Sequence, residues 1–450
     1  MKKDTLRKVL VIGLLVLFVG AVLAPSIGSQ KYISFGEFKK VNTLEEDPIL
    51  YTKESYLMDD DWWDNDWLFR KQITIKHSNV EDDLENFPVL VQHTLLDPTN
   101  QSQPDGDDFV FTLADGTKLN HEIEKYDSSS GELIAWVNIT SLSSVDDTVL
   151  YVYYGNDVCG NQENVHGTWD SNFFGVWHLK EGNVRRYDST SNGRDFNGVS
   201  GDPTSIPGKI GKCQDFDGND CILMYEKNIG QTHTVSFWIK IDGVKEEQEI
   251  LGRNGEEYIC QFLDSTDKLY YVNDGPAIES SAKISSIDTW YYITVIRDGD
   301  HGAWYINAEN STSHAGGPTG DTKIFGLGGY EMYGQGSWMI GDADELRIST
   351  IIRSLAWIRT SYRNQNDPES FMTFGEQEIV PMKFSLLFGK IENLTTMGEF
   401  TRFDAINLRI IQFSPFIFQK VTPGETIITT KLRLCILKED FAFGLFKVAI

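Results

Sequence analysis

The chain has 450 residues, a formal net charge of −26 at pH 7, 39 glycines and an aromatic content of 12%. This length exceeds a single hydrophobic core, so two or three domains are expected. The acidic balance argues against binding to nucleic acid or to anionic lipid, because phosphate groups would repel the chain. Abundant glycine and aromatic residues, with few helical runs, favour an all-β fold.

Residues 1–29 have a basic start, and no charged residue occurs from Val9 until Lys31. This pattern predicts either a signal peptide cleaved near Ser26 or an N-terminal membrane anchor. Both alternatives place the rest of the chain outside the cytoplasmic membrane, as an extracellular or cell-surface protein that meets the membrane only through this segment. Residues 30–61 are polar and without pattern, which predicts a linker.

Two series of short β-branched and aromatic segments follow. The first, in residues 62–160, contains "KQITI", "FPVLV", "ELIAWVNI" and "TVLYVYY"; the second, in residues 165–379, contains "FGVWHL", "HTVSFWIKI", "WYYITVIRDG" and "WMIGDADELRI". Strands of this length, separated by turn signals, predict two tandem β-sandwich domains. In "HTVSFWIKI", the alternation of Val235, Phe237 and Ile239 predicts a buried face, while Trp238 indicates that the opposite face is also partly covered.

One helix is predicted near the end of the second series. Ser354 is a suitable N-cap, and Leu355, Ile358 and Tyr362 follow at helical spacing, with Pro368 beyond the end. Residues 381–450 return to short apolar runs and predict a small C-terminal β-module.

Several motifs then carry a resemblance to known families. The segments "WWDNDWLFRKQITI" (62–75), "DFVFTLADGTKLNHEIEKYD" (108–127) and "LYVYYGN" (150–156) resemble an uncharacterised β-domain of exported prokaryotic proteins. The segments "GVWHLKE" (175–181), "CQDFDGND" (213–220) and "DELRIS" with "RSLAWIRTSYRNQNDPESFMTFG" resemble a concanavalin-A-like, laminin-G-like jelly roll. The resemblance implies export and, frequently, binding of glycan or protein at cell surfaces, without implying one ligand; its wider fold includes hydrolases, lectins and spacers. We predict that no cofactor is required, with calcium as the one candidate.

The stretch "WMIGDADELRIS" is the first candidate site because it holds three carboxylates in four residues. Strand alternation predicts that Asp342 and Asp344 share one face with Leu346, and that Glu345 points the other way. Two in-phase acids allow a glycoside hydrolase pair or a calcium site, while a structural role for the closing strand of the jelly roll is the favoured interpretation.

The segment "DFDGND" is the second candidate. Asp217, Asn219 and Asp220 offer oxygen ligands for calcium, but Asp217-Gly218 is more simply a hairpin turn. Such a hairpin would place Cys213 opposite Cys221, where a disulfide and two buried thiols are equal alternatives.

The third candidate is the glycine-rich loop "GLGGYEMYGQGSW", in which Tyr330, Tyr333 and Trp338 could stack on sugar rings. Three histidines within or beside strands, His121, His178 and His233, have no ligand partner at a short spacing, so zinc has little support. The sequence therefore predicts a non-catalytic protein that binds glycan or a surface protein, with a glycoside hydrolase using Asp342 and Asp344, or an envelope spacer, as alternatives.

Overall fold

The structure is a computed structural model that describes the backbone of 39–40, 51–56, 62–95, 101–243, 247–252, 257–263, 266–281, 283–284, 286–329, 331–332, 335–380, 383–397, 400–414, 433–436 and 439–442. Residues 1–38, with the predicted signal peptide or anchor, lie outside this range. The chain divides into two compact units: Met1–Leu68 with Ile379–Ile450, and Phe69–Glu378.

Strands dominate both units, as predicted for an all-β chain. The first eight strands are β1 Lys39–Lys40, β2 Tyr51–Tyr56, β3 Phe69–Ile75, β4 Leu84–Thr94, β5 Val110–Leu113, β6 His121–Asp127, β7 Glu132–Leu142 and β8 Thr148–Tyr154. The next ten are β9 Phe173–Trp177, β10 Gly198–Ser200, β11 Thr204–Pro207, β12 Lys212–Asp217, β13 Cys221–Gly230, β14 Thr232–Ile241, β15 Glu247–Gly252, β16 Glu257–Leu263, β17 Lys268–Asn273 and β18 Ile278–Ser280.

The remaining strands are β19 Trp290–Asp298, β20 His301–Ile306, β21 Glu309–Asn310, β22 Thr312–Ala315, β23 Thr322–Leu327, β24 Glu331–Met332, β25 Gln335–Gly336, β26 Ile340–Ser349, β27 Met372–Ile379, β28 Lys383–Met397, β29 Phe400–Ser414, β30 Arg433–Ile436 and β31 Glu439–Ala442. The helices are α1 Val165–Thr168, α2 Leu355–Asn366 and α3 Pro368–Phe371, with a 3-10 turn at His77–Asn79.

The first sandwich combines a four-stranded sheet, in the order β27-β3-β8-β5, with a three-stranded sheet, in the order β4-β7-β6. Its strands coincide with the apolar segments seen in residues 62–160. Strand β27 comes from the far end of the predicted second domain, yet it pairs with β3 of the first sandwich. The chain therefore returns to this sandwich after passing through the jelly roll.

The jelly roll has two large sheets. The β26 sheet has the order β11-β12-β26-β14-β19-β20-β21, with β9 also paired to β26, and the β16 sheet has the order β10-β13-β23-β15-β16-β17-β18-β22. One apolar core lies between them and includes Val235, Phe237 and Ile239 of β14, the alternating face predicted from the sequence.

Helix α2 covers the outer face of the β26 sheet. Ser354 caps it by accepting a hydrogen bond from the Trp357 amide, as predicted. Trp238 is buried with Ile358 under this helix and donates its Nε1 hydrogen bond to Gln365, 2.8 Å away. The covered second face of β14, inferred from Trp238 alone, is confirmed.

The other unit contains two antiparallel sheet segments whose backbone is described. Strand β2 lies within the predicted linker but pairs with β28, and β28 pairs with β29, in the order β1-β2-β28-β29; β30 pairs with β31. A strand in the linker was not expected, because "YTKESY" lacks the apolar alternation that predicts one. Among the described residues, no helix is both long and apolar enough to cross a membrane.

Candidate functional site

Strand β26 does not have the side-chain phase predicted for its acids. Opposite β14, Trp238 faces Asp344 and Ser236 faces Arg347, so two residues of β26 oppose one of β14. This β-bulge is centred on Glu345, which has a φ of 55°. The bulge shifts the alternation, so that Leu346 points into the jelly-roll core, whereas Glu345 lies with Asp344 on the outer face. Asp342 and Asp344 share one face as predicted, but the predictions that Leu346 shares it and that Glu345 points the other way are wrong.

Asp342 is fully buried and belongs to a group with Asp215 and Asp242. Lys240 Nζ lies 2.7 Å from Asp342 Oδ2 and 3.5 Å from Asp242 Oδ2. Burial raises the pKa of Asp342 to about 6, while the Lys240 ammonium opposes that rise. The lysine thus supplies the positive charge that a cation would bring to this group.

Asp344 is also fully buried but belongs to a different group. Its Oδ2 accepts a hydrogen bond from the Ile210 amide at 2.9 Å. Burial, together with the nearby Glu345 and Glu124 carboxylates, raises the pKa of Asp344 well above its ordinary value. The two acids proposed as a hydrolase or calcium pair are thus held by separate partners.

Around Asp344 lies a buried set of charged residues drawn from both sandwiches, which we call the interdomain cluster. Its members are Glu122 and Glu124 of β6, His178 and Lys180 after β9, and Asp344, Glu345 and Arg347 of β26. Except for the half-buried Lys180, all are buried.

His178 is the centre of the interdomain cluster. Its Nδ1 lies 2.7 Å from Glu345 Oε1 and 3.5 Å from Glu124 Oε2, and its Nε2 lies 3.2 Å from Glu122 Oε2. Burial alone would lower the pKa of His178, but the Glu345 and Glu122 carboxylates outweigh burial and raise it well above the ordinary value. The partners of His178 are distant in sequence, which is why no short spacing in the sequence indicates them.

Tryptophan and hydroxyl donors hold the carboxylates of β6. Trp136 Nε1 donates to Glu124 Oε2 at 2.9 Å, and Trp169 Nε1 donates to Glu122 Oε2 at 2.8 Å. Ser189 Oγ donates to the other oxygen of Glu122 at 2.7 Å. These donors fix the carboxylate orientations, as the outer hydrogen bonds of ligand sites do.

Two cationic side chains from the jelly-roll segment complete the surroundings of the carboxylates. Arg347 donates to Glu345 Oε2 at 2.7 Å, and its guanidinium lies 4.0 Å from the centre of the Trp136 ring. Lys180 Nζ donates to the backbone carbonyl of Glu124 at 3.1 Å. At Gly211, a Cβ would collide with Glu124 Oε1, so the backbone there packs directly on the cluster.

The motifs that contain these residues are recognisable in the sequence, but no local sequence pattern predicts that they lie together in the structure. "NHEIEKYD" and "GVWHLKE" were noted as family motifs, and the alternation of Glu122 and Glu124 does place both on one face of β6. The third carboxylate, Glu345, could not be added, because its direction depends on the bulge.

The "DFDGND" segment is a turn, but it does not form a hairpin. It joins β12 of the β26 sheet to β13 of the β16 sheet, with Gly218 at a φ of 94°. Asp217 Oδ1 accepts the Asn219 amide and Asp220 Oδ1 accepts the Asp217 amide, each at 3.1 Å. Burial raises the pKa of Asp220 to about 6. A calcium role for Asp217, Asn219 and Asp220 stays a prediction.

Because β12 and β13 lie in different sheets, Cys213 and Cys221 are not cross-strand neighbours. Both are buried, and the Cys213 thiol is free, with Sγ 3.7 Å from the Pro207 carbonyl oxygen. The structure therefore has no disulfide between Cys213 and Cys221.

Of the predicted aromatic loop, Tyr330 and Tyr333 lie outside the described residues. Trp338 is 9% exposed and follows β25. Sugar contact by these three residues stays a prediction.

The sequence matches two families. Residues 105–192 match the domain of unknown function DUF2341, and residues 216–359 match the concanavalin A-like lectin/glucanases superfamily. The chain thus carries this uncharacterised β-domain followed by a concanavalin A-like jelly roll, in the predicted order. No curated protein matches the sequence significantly.

Solved structures are similar only at the level of fold. Domain 4 of an extracellular GH43 arabinanase from Geobacillus stearothermophilus, in complex with arabinotriose, is 19% identical with a TM-score of 0.34, over 43% of this chain and 98% of that one. Trypanosoma rangeli sialidase in complex with sialic acid is 11% identical with a TM-score of 0.36, over 75% and 63%. The binding domain of botulinum neurotoxin DC is 13% identical with a TM-score of 0.34, over 43% and 52%. At these scores the similarities carry no argument about activity.

Proposed function

We propose that this protein is a non-catalytic recognition protein of the cell exterior that binds glycan through its jelly roll. The observation that carries the proposal is a row of polar and aromatic side chains on the outer face of the β16 sheet. Gln261 pairs with Tyr270, Tyr270 with Glu279, and Glu279 with His314, each directly across neighbouring strands. Direct cross-strand partners point to the same face of a sheet.

This row lies on the face opposite the core. The residues beside it in sequence, Phe262, Leu269 and Ile278, are all core residues. Gln261 is buried and its Nε2 donates to Glu247, whereas Tyr270 and Glu279 are half-buried and His314 is exposed. The row therefore offers a ligand one aromatic ring with carboxylate and imidazole groups beside it. An aromatic ring that stacks on a sugar, flanked by hydrogen-bonding groups, suits glycan recognition.

The positions of the β26 acids favour binding over hydrolysis. Retaining and inverting glycosidases both need two carboxyl groups that reach the scissile bond. Asp342 and Asp344 are both fully buried and share no partner, since Lys240 pairs with Asp342 and the Ile210 amide donates to Asp344. The β26 sheet also has its outer face covered near Trp238 by helix α2.

The proposal is tested by glycan-array binding of the full chain, with and without calcium, followed by titration of the best ligand. Tyr270→Ala should weaken binding roughly twofold to twelvefold, because stacking of one aromatic ring contributes about 0.5 to 1.5 kcal/mol. Tyr187→Ala is the matched control, since Tyr187 is 51% exposed but lies outside the row. The double variant Tyr330→Ala, Tyr333→Ala tests the predicted aromatic loop separately.

Three outcomes count against the proposal. A blank array favours the spacer alternative. If Tyr187→Ala weakens binding as much as Tyr270→Ala does, the row is not the binding site. New reducing ends in polysaccharide digests, lost in an Asp344→Asn variant, would establish the hydrolase instead.

A further inference from the structure

The interdomain cluster contains more negative than positive side chains, although it is buried. Its four carboxylates are Glu122, Glu124, Asp344 and Glu345, and its lysine and arginine side chains are Lys180 and Arg347. Four negative groups and two positive ones leave two negative charges to be balanced. Uncompensated charge in a buried site is strongly unfavourable, so two protons or one divalent cation must be bound there.

Unfilled acceptor atoms add a second observation. Among the described residues, Glu124 Oε1 and Asp344 Oδ1 are buried oxygens that accept no hydrogen bond. Buried oxygens without a donor are rare in proteins and indicate an unseen proton or ion.

The geometry around His178 Nδ1 fits one metal ion. A single ligand atom from each of Glu124, His178 and Glu345 lies within 4.8 Å of the other two. The Nδ1 separations of 2.7 Å to Glu345 Oε1 and 3.5 Å to Glu124 Oε2 bracket the spacing of about 3.0 to 3.4 Å expected for neighbouring ligands about 2.1 Å from one ion.

The surroundings of these three side chains also fit a metal site. The other ring nitrogen of His178, Nε2, faces the Glu122 carboxylate at 3.2 Å, which is the usual outer partner of a metal-bound imidazole. Trp136 orients Glu124, and Arg347 orients Glu345.

We propose that Glu124, His178 and Glu345 bind a divalent transition-metal ion of the zinc class, which joins the two sandwiches. An imidazole with two carboxylates suits zinc or manganese, whereas calcium takes oxygen ligands alone. The ion would balance the two surplus negative charges with His178 neutral. Glu124 comes from the first sandwich and the other two ligands from the jelly roll, so the ion ties together parts that are distant in sequence.

The experiment refolds the full chain from urea without metal and with zinc, manganese, cobalt or calcium, and measures bound metal by elemental analysis. We expect about one equivalent of zinc or manganese per chain, a higher Tm than in metal-free protein, and no effect of calcium. Because all three ligands are buried, chelator should remove the ion from the unfolded chain far faster than from the native protein.

Matched variants locate the ion. Glu345→Gln and His178→Gln should abolish metal retention, whereas Glu132→Gln, at an exposed ion pair with Lys125, should retain it. If the first two variants do not fold, cobalt absorption bands of the refolded wild type report the site instead. Wild-type protein that refolds equally well with no bound metal and an unchanged Tm overturns the proposal and leaves two protons as the balancing charges.

Discussion

His121 and His233 are buried imidazoles next to cations. Burial lowers the pKa of His121 to about 4 and that of His233 to about 3, with Lys118 and Arg297, respectively, lowering them further. A histidine whose pKa is depressed by folding favours the native state above the unfolded pKa of about 6.5, and this contribution is lost as pH falls towards the folded pKa. Each histidine should therefore reduce the free energy of unfolding by about 2 to 3 kcal/mol between pH 7.5 and pH 4.5.

Urea unfolding at these two pH values measures the effect. His121→Met and His233→Met should each flatten the loss of stability on acidification, because methionine fills much of the space without taking up a proton. His301→Met is the control, since His301 lies exposed beside Asp300. Equal pH dependence in all three variants would show that neither buried ring takes up its proton on unfolding.

Helix α2 attaches to the first sandwich through Asn364. Strand β4 is the edge of its sheet, and Asn364 accepts the Leu90 amide at 2.7 Å while donating to the Leu90 carbonyl at 3.0 Å. Asn364→Ala leaves both groups of Leu90 buried without a partner, so it should lower the free energy of unfolding by about 2 to 4 kcal/mol. Asn366→Ala, at an exposed position of the same helix, should lower the free energy of unfolding much less. Denaturant unfolding of both variants checks this, and equal losses would contradict it.

The elements that local pattern specifies were predictable from the sequence. Ser354 and Pro368 mark the limits of α2, and the apolar alternation of β14 identifies its core face. Features that depend on residues far away in the sequence were not predictable. The bulge at Glu345 exists because of the pairing of β26 with β14, and it reversed the predicted direction of that side chain. The partners of His178 likewise come from β6 and β26, which no local spacing connects.

Within the unit Phe69–Glu378, the first sandwich and the jelly roll are linked by a strand and by an apolar cluster. Strand β27 follows the jelly roll in the chain but completes a sheet of the first sandwich. A mixed apolar cluster contains Leu90 and Trp136 from the first sandwich together with Val176 and Ile210 from the jelly-roll segment. Two sandwiches that complete each other in this way are expected to unfold together.

We therefore expect one cooperative transition for both sandwiches in the full chain. Hydrogen exchange measured by mass spectrometry along a urea series reports each part separately, through peptides from β7 and from β19. Their midpoints should coincide, and Asn364→Ala should lower both by the same amount, because the loss of one shared contact destabilises a single cooperative body. Midpoints more than about 0.5 M apart would mean that the sandwiches unfold independently, and that β27 and the shared cluster contribute little to their coupling.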